Sequence, residues 1–471
     1  MDVANAPREE LLQVIGDLQA TVARLEAALT LATTRIAALE AELARRSGPP
    51  KTSENSSVPP AKGFRRVKRP PPAESAPKPG PPQGHPGTSR HRVAPDIVLY
   101  CEPTLCERCG EPLAGAPQRR VGVSQVIDLP PVRPVVVEAW RYAAQCLACG
   151  TTTRAPYPPG LEPTRVFGPQ IEALVTYLHE QHHVGYQRLR AIGQDLFGLH
   201  LSEGAVANAL ARTAARLAPV VATIREQVRA SPVIGSDETS ARVHGQTWWQ
   251  WVFQTTSASY HLIVPRRNGA VVEAFQDQTA AGTWVSDLWV PQLHAQAARH
   301  QICLAHQLRE LQYVLDVEQS VWAAAFQGLL RAAIHLTHER DAGRWPPGPY
   351  AAAVAMVEAW CAALLRTPVP GAEASRLWVR FREHRDHLFV FLYDAAVPPT
   401  NNASEQALRN SVVHRKVTGG FRSEWGAAAH ATVATVLDTA RKRGEDLFAT
   451  LYATLGPPLA AGWSDSSAQS R

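Results

Sequence analysis

No run of about 18 apolar side chains occurs in the 471 residues, so no segment reads as a membrane-spanning helix. Met1–Pro7 has no basic stretch leading into an apolar one, so no secretory leader is expected. Cysteine is scarce: seven in all, an odd number, four of them in two CxxC pairs. That suits metal binding in a reducing, cytoplasmic setting better than a disulfide framework. Bulky apolar residues are nearly absent from residues 48–96, where Pro, Ser and Lys dominate. That composition is a linker, extended and partly polyproline-like, without a core of its own.

What is present begins with charge. The chain carries a formal +6, a lean toward nucleic acid that is weak alone. Residues 51–92 hold nine Lys or Arg against two Glu, a local +7. Such a stretch is either a self-repelling solvated tether or a basic arm lying on DNA phosphates, and both can hold at once. Arg65, Arg66, Lys68 and Arg69 are its DNA-binding candidates.

Leu11, Ile15, Leu18, Val22, Leu25, Leu29, Ala32, Ile36, Leu39 and Leu43 alternate at four- and three-residue steps. No Gly or Pro interrupts them after Gly16, and the pattern stops at Ser47-Gly48-Pro49-Pro50. The seam predicts a coiled coil over 1–47, hence a partner helix and most simply a homo-oligomer. An amphipathic helix packed on its own domain is the alternative.

Cys106-x-x-Cys109 and Cys146-x-x-Cys149 are each followed by Gly, at Gly110 and Gly150. Two such knuckles supply four thiolates, the ligand set of a closed structural Zn²⁺ site. A zinc-ribbon domain is expected over 97–160, with Val121–Ile127 and Val135–Tyr142 as candidate strands. A closed site does no chemistry, so the ribbon would present a surface to DNA or a partner.

Residues 161–230 read as helices, with Tyr186–Phe197 followed by a helix from an N-cap at Ser202 through Arg212. The pair is a helix-turn-helix or an ordinary helical hairpin. From 231 the pattern turns to strands: Val233–Val243, Thr247–Thr256, Tyr260–Val264, Thr283–Asp287 and His300–Leu304, with a helix over Ala270–Gln276. Residues 231–316 are the first part of a core, 317–397 a helical insertion and 398–461 the core's C-terminal helices. Residues 462–471 are expected to be a disordered tail.

Three carboxylates stand out. Asp237 lies inside a strand, where Asp is disfavoured, and on the opposite face from Glu238. Asp287 ends a strand, and Glu405 opens a helix. Each has an ordinary reading: a turn bond for Asp237, a cap for Asp287, and for Glu405 the capping-box position with Asn402 as N-cap, or a pair with Arg409. Together, three antiparallel strands, a helix, a strand ending in Asp and a later helix with a third carboxylate form the layout of a ribonuclease-H-like core. Such a site holds two hard divalent cations. The expected fold class is multidomain α+β: coiled coil, zinc ribbon, helical segment, and an α/β core with an all-helical insertion.

In its order of motifs the chain resembles the transposases of the insertion sequence 66 family over nearly its whole length. The resemblance rests on the heptad segment, Ser53-Glu54-Asn55-Ser56-Ser57-Val58-Pro59-Pro60, the two CxxC pairs, Asp237-Glu238-Thr239 and Trp249-Gln250-Trp251-Val252. It continues through Ser286-Asp287, Cys303-Leu304-Ala305-His306 with Arg309, Asn401-Asn402-x-x-Glu405-x-x-Leu408-Arg409, Arg415-Lys416, and Gly426 beyond Phe421-Arg422. It implies an acidic triad at Asp237, Asp287 and Glu405, two Mg²⁺ or Mn²⁺ ions, and DNA cleavage and joining at element ends. It also implies double-stranded DNA as partner, accessory proteins of the same element in some cases, and a bacterial, nucleoid-associated location. One departure is Leu288-Trp289, where many relatives have Gly-Tyr after the second Asp. Arg409, Arg415 and Lys416 are phosphate-contact candidates, and Cys303 with His306 reads as a buried thiol beside a hydrogen-bonded histidine. The competing readings are an inactive or domesticated DNA-binding protein and a nuclease that cuts without joining.

Overall fold

The structure, a computed structural model, describes residues 19–36 except 21 and 28, and residues 91–456 except 131, 159 and 164. Arg65, Arg66, Lys68, Arg69, the tail, and the heptad positions before 19 and after 36 lie outside the described residues. The described part of 19–36 is helical, with Val22, Leu25, Leu29 and Ile36 more than half exposed, so the apolar seam faces solvent in the single chain.

In the region of the paired cysteines, β1 (Ala143–Gln145) and β2 (Thr152–Arg154) form an antiparallel hairpin. The strands expected at 121–127 and 135–142 do not form. Pro130 and Pro134 lie between them and cannot donate to a ladder. Apolar side chains of the two stretches find little to cover them: Val121 is 83% and Val136 91% exposed.

Three helices follow: α1 (Pro169–Glu180), α2 (Tyr186–Phe197) and α3 (Glu203–Arg229). Gly198 ends α2 in the left-handed region, and the Ser202 hydroxyl caps α3 by accepting from the Ala205 amide at 3.1 Å. α3 runs 17 residues beyond the expected Arg212, through Pro219. Its first half packs on α2 through Val206 and Leu210. Its second half buries Leu217, Ile224 and Val228 in the apolar cluster of the sheet, which is what extends it.

A five-stranded mixed sheet forms the centre, from β3 (Val233–Val243), β4 (Gln246–Gln254), β5 (Ser259–Val264), β6 (Ala281–Ser286) and β7 (Ala297–Ile302). The order is β5-β4-β3-β6-β7. β3, β4 and β5 are an antiparallel meander, while β6 is parallel to both β3 and β7. The β3–β4 turn uses His244 and Gly245, both at positive φ, as a two-residue hairpin requires. α4 (Gly269–Gln276) provides the crossover to β6, and α5 (Val290–Leu293) lies between β6 and β7. Trp251, Phe253 and Trp284 are fully buried on the face covered by α3 and α4. β7 starts and ends earlier than expected, because Leu304 opens the next helix.

After α6 (Leu304–Glu318) comes a helical insertion, α7 (Val321–Asp341), α8 (Pro347–Leu364) and α9 (Ala372–Glu383). Its core, including Phe326, Cys361 and Phe381, is continuous with Val285 and Ile302 of the sheet. The short α10 (Val390–Tyr393) returns the chain to β7. α11 (Asn402–Thr418) then lies on β3 and β4, α12 (Glu424–Lys442) packs on α3 and β5, and α13 (Leu447–Thr454) closes the body. Among the described residues no helix is long and apolar enough to cross a membrane.

Candidate active site and metal centres

β3 and β6 pair with Gly235 opposite Val285. Two residues further along that register bring Asp237 beside Asp287, which lies one residue past the end of β6. Glu405 reaches the same sheet end from the first turn of α11. α11 can lean on β3 because Gly235 has no Cβ: one built there would meet Gln254 Nε2 at 2.5 Å and Ser404 Oγ at 3.0 Å.

Asn401 locks this junction. Only 2% exposed, it donates from Nδ2 to Ser236 O at 2.8 Å, and its backbone amide donates to Cys303 Sγ at 3.1 Å. Ser404 donates to Asn401 Oδ1 at 2.6 Å. One side chain and its backbone thus join β3, the β7–α6 turn and the start of α11. Asn401→Ala should cost about 1–3 kcal/mol, the penalty for orphaning buried polar groups. It should also lower activity, because Glu405 loses its anchor. An unchanged denaturation midpoint would remove the role.

Electrostatics tie the three carboxylates together. Burial first, then the charges of Glu238 and Asp287, and also Glu405, push the Asp237 carboxyl well above its ordinary range, against the opposing Glu238 amide bond. That amide donates to Asp237 Oδ1 at 2.9 Å, and the Trp289 amide donates to Asp287 Oδ1 at 3.0 Å. Glu405 Oε1 is buried and makes no hydrogen bond, with His306 Nε2 at 3.7 Å and Arg309 at 3.6 Å. A carboxylate oxygen without a donor, beside like charges, suits divalent cations.

The capping-box reading of Glu405 does not hold. Asn401, not Asn402, is the N-cap; Ser404 occupies the third helical position and Glu405 the fourth. The ion pairs of Glu405 are with His306 and Arg309 rather than Arg409. The turn bond of Asp287 to Trp289 does exist, so local capping and site membership coexist in one side chain. Cys303 is a fully buried thiol that accepts from Asn401, as expected, but His306 Nδ1 is buried without a hydrogen bond. Cys303, His306 and Glu405 have donor atoms within 4.8 Å of one another. Glu238 belongs to a separate arrangement, bonded to Arg267 and Gln292.

Charge accumulation at Asp237 has a measurable consequence. With a folded-state pKa above the unfolded value of about 3.9, this carboxyl adds stability at low pH and loses that contribution as pH rises through the folded pKa. In chelator at neutral pH, Asp237→Asn should therefore melt above wild type. The advantage should shrink toward pH 4 and when Mg²⁺ is supplied. Thermal denaturation with and without Mg²⁺ checks this; a variant that melts no higher than wild type in chelator would contradict it.

The two cysteine knuckles have matching backbones. Cys106 N–H donates to Glu111 O and Gly110 N–H to Cys106 O; Cys146 N–H donates to Thr151 O and Gly150 N–H to Cys146 O, all at 2.8–2.9 Å. Gly110 and Gly150 have φ of 76° and 73°, where a Cβ would be strained. The bridge Leu105–Pro112 corresponds to the pair Gln145–Thr152. The four thiols do not make a three-donor cluster within 4.8 Å; the described clusters are Cys303–His306–Glu405 and Glu180–His414–His430.

Of the basic candidates on α11, Arg409 and Lys416 are exposed. Arg415 is half-buried and donates to Ser240 Oγ at 2.6 Å, bracing α11 on β3. Residues missed from sequence are Asn401 as a hub, Gly235 and Arg267. The motif Asn401-Asn402-x-x-Glu405 carried the first signal, but which Asn turns inward depends on the helix start.

A mixed sheet with carboxylates at one end and helices on both sides is compatible with a ribonuclease-H-like core. The profile of the family described as "Transposase IS66 family" matches residues 164–429, more than half the chain and all three carboxylates. The chain belongs to that family, and transposase is its function in outline. No curated protein matches it.

Proposed function

We propose that this chain is a DDE-type DNA transposase with a ribonuclease-H-like core. It binds element ends and cleaves and joins DNA phosphodiesters at one site formed by Asp237, Asp287 and Glu405. The observation that carries this reading is the register of β3 against β6, which sets two Asp side by side, with α11 bringing Glu405 to them.

Bound there, two Mg²⁺ or Mn²⁺ ions would supply Lewis-acid activation of the attacking oxygen and stabilisation of the leaving one. The chain's own part is positioning. The amides of Glu238 and Trp289 orient Asp237 and Asp287, and Asn401 sets the α11 start. Exposed Arg409 and Lys416 offer charge to DNA phosphates. Water is the first nucleophile and the freed 3′-hydroxyl the second, so no Ser or Tyr nucleophile is needed.

The remaining parts serve DNA handling. The knuckles would hold one structural Zn²⁺ at Cys106, Cys109, Cys146 and Cys149 once the two thiol pairs close on it; residues 51–92 would track phosphates, the 1–47 segment would pair with a second copy, and accessory proteins of the element would join where present. The deciding assay follows labelled element-end DNA with Mg²⁺ or Mn²⁺, scoring both nicked and strand-transfer products. Cleavage without transfer would leave a nuclease, and binding with neither would leave an inactive DNA-binding protein.

A further inference from the structure

A second group of buried titratable side chains lies away from the carboxylates, where α1 meets α11 and α12. Glu180 is 4%, His414 2% and His430 1% exposed. Each offers a donor atom, and the three atoms lie within 4.8 Å of one another. Glu180 Oε2 is bonded to His430 Nδ1, and His430 Nε2 to Ser411 Oγ at 3.0 Å. Ser411 in turn accepts from Gln250 Nε2 at 2.8 Å.

This relay accounts for Glu180 and His430 as an ordinary buried polar network. It leaves His414 unexplained. The His414 ring stacks on Phe421 at 5.2 Å and lies 4.6 Å from His430, centroid to centroid, yet its Nδ1 is buried without a hydrogen-bond partner. Packing alone would be served by Phe, without the cost of an orphaned nitrogen. His183 repeats the anomaly. Its ring is 5.4 Å from that of His414, its Nδ1 is also buried and unpartnered, and its backbone is held at φ 58°. Two idle imidazole nitrogens thus flank a carboxylate and a third imidazole.

We propose that Glu180, His414 and His430, with His183 as the fourth donor, bind a first-row transition-metal ion of the zinc type. The donor set of three imidazoles and one carboxylate suits such an ion and is wrong for Mg²⁺. Donors about 2.1 Å from a tetrahedral centre lie roughly 3.4 Å apart, so the three need to close by little more than about 1 Å. The ion takes the place of the proton between Glu180 and His430, while Ser411 continues to orient the His430 ring from its other nitrogen.

The ion would cross-link α1 to α11, the helix that carries Glu405, and to α12. Because it binds only the folded chain, it stabilises that junction. This site is independent of the DDE reading, since it uses none of those residues.

The test uses the full chain with all four knuckle cysteines changed to Ser and with Asp237→Asn and Asp287→Asn to remove the carboxylate site, stripped with chelator and titrated with Co²⁺ in excess Mg²⁺. The expected result is about one bound cobalt with visible d–d bands but no thiolate charge-transfer band, and a raised melting temperature. Adding His414→Phe, which keeps the stack on Phe421, should weaken cobalt binding at least about tenfold. His183→Gln, at a position only partly buried, should do the same and covers the case in which the Phe variant does not fold. No cobalt bound by the chain lacking the four knuckle cysteines, or equal affinity in parent and foldable histidine variants, overturns the site.

Discussion

Asp237→Asn, Asp287→Asn and Glu405→Gln should each lower both strand cleavage and strand joining by roughly 10³-fold or more, with end-DNA binding nearly unchanged. Amides are nearly isosteric with carboxylates, so packing survives and the lost quantity is negative charge. Two cations against a phosphate are worth several kcal/mol of transition-state stabilisation, and about 4 kcal/mol corresponds to that factor. Both steps should fail together because they share one site. Glu405→Gln discriminates best. A purely structural Glu405 would tolerate Gln, and in this structure its Oε1 bonds no backbone group. Asp316→Asn, exposed and bonded to Gln312, is the surface control and should be mild. Glu238→Gln should also be milder than the triad, since Gln keeps an acceptor for Arg267. Normal cutting by Glu405→Gln, measured on labelled element-end DNA, would remove the third member. Glu424, exposed in the first turn of α12, would then be the nearest substitute.

Arg267→Ala should destabilise the fold by about 3 kcal/mol or more, the usual cost of stripping the partner from a buried charge. The Glu238 side chain is 2% exposed and accepts from Arg267 Nε at 3.0 Å and from its terminal nitrogen at 2.8 Å. Its other oxygen accepts from Gln292 at 2.9 Å. The guanidinium is fixed between Trp249 and Trp289, 4.4 Å from each ring, a double cation–π contact. Leu288-Trp289, the departure from the usual Gly-Tyr, therefore supplies one wall of this clamp. Without Arg267, the charge of Glu238 would add, unbalanced, to those of Asp237 and Asp287. Arg267→Ala combined with Glu238→Gln should recover most of the loss. Denaturant unfolding of the four proteins in this cycle gives the coupling. No recovery in the double variant would mean that packing of the tryptophans, not charge, is what Arg267 provides.

Local order was legible in the sequence wherever one periodicity dominated. β3, β4 and β5 came within a few residues of their observed ends because alternation and a two-residue turn at His244-Gly245 specify them. α3 continues past the expected end at Arg212 and through Pro219, a residue that disfavours helix interiors, because Leu217, Ile224 and Val228 bury against the sheet. The strands expected between the knuckles failed for the opposite reason: β-branched composition without a surface to cover does not make a ladder.

By itself the sequence determined the carriers of chemistry: which acids break local rules, which cysteines pair, where helix and strand alternate, and which family the order of motifs resembles. Those properties are written in residue type and spacing along the chain. Only tertiary structure decided which groups meet. The parallel register of β3 and β6 set Asp237 beside Asp287, Asn401 rather than Asn402 turned inward, and Glu238 was withdrawn into a pair with Arg267. It also brought Glu180 to His414 and His430, more than 230 residues away in sequence. Such meetings depend on how far apart packed elements come to rest, and one-dimensional spacing carries no term for that distance.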